Sequence, residues 1–152
     1  MRSRGRFILY NYNMASTPKT PIGFEEIEHT ADWSLRVWAP DLPTFFEQAA
    51  KGMYQLMGAE SLSAPIEEIE LTVTGEDPET LLVAFLSELL YLLEKGKVAH
   101  RFYMIFGEKS LSVQLKCLPL KSISKEIKAV TFHNLAIQSL NGLLEATITF
   151  DV

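Results

Sequence analysis

Two carboxylates stand side by side at the carboxyl end of the sequence, where Asp151 is followed by Val152. If Val152 is the terminal residue, its α-carboxylate lies one residue from the Asp151 side chain. Carboxylates at such close range repel each other, which favours a cation between them. Ligands that are all oxygen select hard ions such as Ca²⁺, Mg²⁺ or Mn²⁺ over zinc or copper. These two residues therefore indicate either a hard-metal site or an exposed strand end with solvated charges.

The other candidate side chains have simpler explanations. Asp32 closes the segment 28–32 between two predicted strands, and aspartate is common in turns, where its side chain bonds to local backbone. Lys128 is typical of the edge of a strand. The single cysteine, Cys117, lies in an alternating run and is expected to be a buried thiol, since a nucleophile needs a nearby base and an open site. Three histidines and one cysteine exclude a His-rich zinc site.

The sequence carries no familiar catalytic motif: it has no glycine-rich phosphate loop, no G-x-S-x-G, no H-E-x-x-H and no C-x-x-C. Its net charge is −5, with no clustered Lys and Arg of the kind that tight nucleic-acid binding requires. No apolar run approaches the roughly 18 residues of a membrane span. A lone cysteine suits a reducing cytosol. We therefore expect a cytoplasmic protein whose partner is a protein, a cation or both, rather than RNA alone or a membrane.

Apolar periodicity predicts the elements that must position these residues. One helix begins at the cap Asp41 and runs to about Gly58, and a second begins at Asp77-Pro78 and runs to about Gly96. Asn141-Gly142 predicts a hairpin turn before the last strand. About six to seven strands complete an α+β fold of largely antiparallel sheets packed with two main helices; they span 24–29, 33–38, 68–74, 101–106, 111–118, 128–133 and 144–152.

The length of 152 residues fits one domain with short connections. Residues 1–21 combine arginines, a short apolar stretch and polar residues, which predicts a flexible N-terminal tail. Residues 22–152 are expected to form a single domain.

Several segments in the right order resemble the archease family. The resemblance extends from about residue 23 to residue 152. The segments that carry it are residues 28–32 (EHTAD), 45–53 (FFEQAAKGM), 81–91 (LLVAFLSELLY), 127–133 (IKAVTFH) and 150–152 (FDV).

The resemblance implies a function. Archeases are cofactors of an RNA ligase that joins a 2′,3′-cyclic phosphate or 3′-phosphate end to a 5′-hydroxyl end, in tRNA splicing and RNA repair. They promote guanylylation and repeated turnover of that ligase, and they bind a divalent metal, most often described as calcium. Carried over to this sequence, the metal ligands are Asp32, Asp151 and the Val152 carboxylate. His29 and Lys128 match a functional surface.

One departure from the family pattern bears on the loop. Trp33 and Ser34 follow Asp32, where the family usually has small or aliphatic residues, and a bulky ring there could shield the ion or alter docking. Two alternative functions stay open. One is a stand-alone metal-dependent phosphodiester hydrolase using the same carboxylates. The other is a metal-free binding or chaperone module with exposed apolar surface near Trp38, Phe45 and Phe46.

Overall fold

The computed structural model of the chain describes residues 20–27 and 33–152. Most of the expected N-terminal tail, together with His29 and Asp32, therefore lies outside the described residues. At the start of the described part, the carbonyl oxygen of Thr20 accepts a hydrogen bond of 2.8 Å from Nε1 of Trp38.

Two helices and nine strands form within these residues. The helices are α1 (Leu42–Met57) and α2 (Pro78–Glu94). The strands are β1 (Gly23–Ile27), β2 (Trp33–Ala39), β3 (Glu60–Ser61), β4 (Glu67–Thr74), β5 (Lys97–Phe106), β6 (Ser110–Ser122), β7 (Ala129–Thr131), β8 (Gln138–Leu140) and β9 (Leu143–Asp151).

The strands form two antiparallel sheets, each organised around one long strand. In the first sheet, β9 pairs with β2 along one edge and with β7 and β8 along the other, while β1 extends the sheet beyond β2. In the second sheet, β6 pairs with β4 and β5 on its two edges and with the short β3 at its carboxyl-terminal end. Both helices contact strands of both sheets, so one core lies between the two sheets.

Local sequence explains where the helices begin and end. The side chain of Asp41 accepts a hydrogen bond from the Thr44 amide at 2.8 Å, and Asp77 does the same for Thr80. These carboxylates satisfy amides that have no partner within the first helical turn. Helix α1 ends at Gly58, whose φ of 61° is a left-handed conformation that glycine adopts without steric cost.

Phe46 joins three elements of the core. Its ring lies 5.7 Å from the Phe85 ring on α2 and 5.1 Å from the Phe106 ring on β5, measured between ring centres. Neither Phe45 nor Phe46 exposes any surface, and Trp38 is 8% exposed. The expectation of exposed apolar surface near these three residues was therefore wrong, because the apolar stripe of α1 packs against β2 and α2 instead.

The antiparallel α+β architecture with two helices is confirmed. The described residues contain nine strands instead of six to seven, because β3 and β8 have two and three residues, too few to show an alternating pattern. The Asn141-Gly142 hairpin is also observed, with positive φ angles of 54° and 79° at its two turn residues. No helix in the described ranges is long and apolar enough to cross a membrane.

The position of Phe46 predicts a large loss of stability on truncation. Replacing Phe46 with alanine should lower the free energy of unfolding by about 3–5 kcal/mol, because it leaves a cavity where α1, α2 and β5 meet. Phe132 is 55% exposed, so Phe132→Ala should change it by less than about 0.5 kcal/mol. Urea denaturation of both variants measures the difference, and equal losses would contradict this packing.

Candidate metal centre at the end of β9

The end of β9 is held between two neighbouring strands. Phe150 is fully buried and pairs with Trp33 on β2 and with Val130 on β7. Asp151 and Val152, the two residues that follow it, are both exposed. The apolar anchor thus fixes the backbone, while the two residues with candidate carboxylates lie at the surface.

Strand β7 fixes the backbone of Asp151 from one side. Ala129 pairs with Asp151, and the amide of Lys128 donates a hydrogen bond of 2.8 Å to the carbonyl oxygen of Asp151. The Lys128 residue is itself exposed. The structure therefore brings three of the predicted site residues together, namely Lys128, Asp151 and Val152.

Hydroxyl side chains on β2, β9 and β7 make contacts close to this end of the sheet, at the level of Thr149. The buried hydroxyls of Ser34 and Thr149 lie 3.5 Å apart across β2 and β9. On the other side, the Thr131 hydroxyl donates to the Thr149 carbonyl oxygen at 3.0 Å. These contacts give polar groups on three strands a partner at the end of the sheet that carries Asp151.

Arg36 balances the acidic side chains further along the same sheet. Its Nε donates to Glu145 at 2.8 Å, and a terminal guanidinium nitrogen donates to Glu25 at 3.2 Å. The guanidinium also lies 5.2 Å from the centre of the Trp38 ring. Glu25 and Glu145 are therefore already partnered by a cation.

Trp33, the residue that departs from the family pattern, faces a pocket of about 480 Å³. The ammonium of Lys125 lies 4.5 Å from the centre of the Trp33 ring, in the range of a cation–π contact. The pocket is bounded by the end of α1 and by β1, with Gln55, Leu56 and Glu26 in its wall. Trp33 is thus already engaged by a neighbouring side chain.

The donor chemistry of this region fits a hard cation better than zinc. Asp151 and Val152 offer only oxygen atoms. His133 bonds to its neighbour Asn134, and His100 lies on β5 of the second sheet. Within residues 20–27 and 33–152, no three side chains of His, Cys, Asp or Glu gather as a metal site. Asp32 would complete the predicted set, but it lies outside these ranges, as does His29.

Cys117 is buried on β6, away from solvent. Burial raises the pKa of its thiol above the usual value, and the nearby Glu67 carboxylate raises that pKa further. A protonated, buried thiol is a poor nucleophile. This agrees with the expected buried strand thiol.

Comparison with known proteins places the chain among archeases. Residues 24–152 match the model of the Archease protein family. The archease of Methanothermobacter thermautotrophicus is 32% identical over 138 residues, covering 86% of this chain and 99% of that protein. The archease of Pyrococcus furiosus is 34% identical over 126 residues, covering 77% and 89%.

Solved structures show the same fold. The solution structure of Methanobacterium thermoautotrophicum protein 1598 superposes with a TM-score of 0.65 at 27% identity, covering 86% of this chain and 99% of the other. The crystal structure of an archease from Thermotoga maritima, described as a possible chaperone, has a TM-score of 0.65 at 21% identity. It covers 93% of this chain and 100% of that one.

The burial of Cys117 predicts slow chemical modification. Iodoacetamide should alkylate the native protein more slowly than the guanidinium-unfolded protein by more than roughly tenfold, because the thiolate is both inaccessible and scarce. Mass spectrometry of the intact protein over time measures both rates. Equal rates would place Cys117 at the surface and reopen it as a candidate nucleophile.

Proposed function

Because this chain belongs to the archease family, we propose that it is a non-catalytic accessory protein of an RNA ligase. The ligase is of the type that joins a 2′,3′-cyclic phosphate or 3′-phosphate end to a 5′-hydroxyl end. In this proposal the protein promotes guanylylation of the ligase and its repeated turnover, in tRNA splicing or RNA repair.

We also propose that the protein binds a divalent cation through Asp32, Asp151 and a Val152 α-carboxylate. The preferred ion is Ca²⁺, with Mg²⁺ or Mn²⁺ as the next candidates. The register of β9 supports it most directly. Trp33, which follows Asp32 in the sequence, pairs with Phe150, which precedes Asp151. Antiparallel partners lie about 4.5–5.5 Å apart between Cα atoms. A cation offsets the repulsion that gathered carboxylates would otherwise suffer.

The exposed position of this end suits presentation of charge to a partner protein. Phosphoryl transfer depends on positioned positive charge near the reacting phosphate. An ion held by Asp151 and Val152 at the surface of a rigid sheet could meet the nucleotide site of a ligase. Lys128, exposed beside Asp151, and His29 would belong to the contacting surface.

The two alternatives receive less support. A stand-alone phosphodiesterase needs a basic surface to hold its polyanionic substrate, and this chain has a net charge of −5 with no clustered Lys and Arg. The metal-free chaperone hypothesis depended on exposed Trp38, Phe45 and Phe46, all of which are buried.

Ligation assays test the accessory role. Adding the protein to the ligase of its own organism should stimulate multiple-turnover RNA joining. Asp32→Asn, Asp151→Asn and deletion of Val152 should each abolish most of that stimulation, because each removes a proposed carboxylate ligand. Glu68→Gln, an exposed carboxylate on β4, is the matched control and should stimulate like the parent.

Two results would contradict this proposal in different ways. Stimulation that survives all three changes would move the working surface away from β9. Absence of stimulation by the intact protein would refute the accessory role itself. Hydrolysis of a phosphodiester by the purified protein alone would favour the phosphodiesterase.

Metal binding should also stabilise the fold. At a Ca²⁺ concentration about 100 times the dissociation constant, linkage predicts a gain of about 2.7 kcal/mol. For a chain of this size that is a rise in melting temperature of roughly 5–10 °C. EDTA should reverse the rise, and Asp151→Asn should remove most of it while Glu68→Gln keeps it. An equal rise in the Asp151→Asn protein would place the ion elsewhere.

A further inference from the structure

A second pocket lies between the end of α1 and β5, in a different part of the molecule from the end of β9. Its volume is about 480 Å³, within the range of small-molecule sites in proteins. Tyr54 and Gln55 line it from α1, and Val98, His100 and Phe102 line it from β5. The pocket therefore borders the second sheet, whereas Asp151 belongs to the first.

The hydroxyl of Tyr54 gives this pocket a defined polar group. Its side chain is 8% exposed, and its oxygen accepts a hydrogen bond of 3.1 Å from the amide of Ala99. Within the described part of the chain, the hydroxyl proton has no acceptor. Buried polar groups in folded proteins nearly always have a partner. Because Tyr54 lines the pocket, a molecule bound there can supply that acceptor.

At neutral pH the Tyr54 hydroxyl can act toward such an acceptor only as a hydrogen-bond donor. Burial raises the pKa of the phenol well above its usual value, more than the hydrogen bond from Ala99 lowers it. The hydroxyl thus keeps its proton.

Strand β5 is irregular beside the pocket. Its pairing with β6 shifts between Ala99 and Arg101, which leaves His100 outside the regular ladder. Such bulges often occur next to functional sites, where they redirect a side chain. Here His100 is exposed and lines the pocket.

The charged side chains around the pocket leave a small excess of negative charge. Lys51 lines it, but its ammonium lies 2.9 Å from Glu47 one helical turn away, and Glu60 adds one carboxylate. Val98 and Phe102 supply an apolar wall. An anionic ligand would therefore meet a surplus of like charge, whereas an uncharged ring would be desolvated against that wall.

We propose that this pocket binds a small uncharged molecule that has an apolar or aromatic ring and a carbonyl oxygen, as in a carboxamide. The carbonyl oxygen accepts a hydrogen bond from the Tyr54 hydroxyl. The ring packs against Val98 and Phe102, and an amide N–H donates to Gln55 or Glu60. The proposal does not depend on metal binding or on ligase activation.

Titration with benzamide, followed by ¹⁵N–¹H NMR, tests the proposal. Benzamide should cause saturable shifts at the amides of Ala99 and His100, with a dissociation constant of about 1–10 mM, as expected for a ligand of nine heavy atoms. Benzoate has the same ring with a charge and should bind more weakly. Absence of saturable shifts would mean that water alone fills the pocket and would overturn the proposal. Tighter binding of benzoate would overturn the uncharged class of ligand.

Variants locate the binding site. Tyr54→Phe should weaken benzamide binding about fivefold to tenfold, since it removes the donor. Tyr103→Phe, on an exposed tyrosine of the same strand, is the matched control and should leave it unchanged. Ala59→Leu fills part of the pocket without removing a hydrogen bond, so it should abolish binding even if Tyr54→Phe folds poorly. Unchanged affinity in Ala59→Leu would place benzamide elsewhere and contradict the proposal.

Discussion

The pairing of β9 on both of its edges fixes the geometry of the candidate metal centre. Ile148 and Phe150 are fully buried on one face of the strand, and a shift of one residue in register would turn both of them to the opposite face. The register with β2 and β7 is therefore strongly specified. As a consequence, Asp151 is the residue at which the chain leaves the core, beside Trp33 and Lys128. Core packing thus fixes the backbone of the candidate residues at this strand end.

The end of α1 forms a wall common to the two pockets. Gln55 and Gly58 line both the pocket beside Trp33 and the pocket beside Tyr54. Gly58 is well suited to this position, because its left-handed conformation ends the helix and a β-carbon there would come within 2.7 Å of the Ser124 hydroxyl oxygen. The first pocket adjoins the proposed metal centre, whereas the second borders β5. One helix end therefore separates two regions with different chemistry.

Much of the fold could be predicted from the sequence, and the reasons are local. Asp41 and Asp77 marked both helix starts because a capping carboxylate followed by proline is a strong signal, and the alternation in 144–151 marked β9. The strands β3 and β8 were missed because pairing with a longer neighbour, and not periodicity, makes them strands. The family segments at 127–133 and 150–152 led to Lys128, Asp151 and Val152. Tyr54 could not be singled out from the sequence, since nothing local distinguishes a tyrosine that lines a pocket from one that only fills the core.

A hard-metal site at the end of β9 can be detected with Mn²⁺, a paramagnetic ion that favours oxygen ligands. The measurement is the broadening of backbone amide signals in ¹⁵N–¹H NMR spectra at substoichiometric Mn²⁺. If the ion binds at the end of β9, the amides of Trp33, Ala129 and Asp151 should broaden first, while that of Tyr103 on β5 stays sharp. Broadening that begins at the acidic strand β4, or that spreads evenly over the protein, would contradict binding at that end.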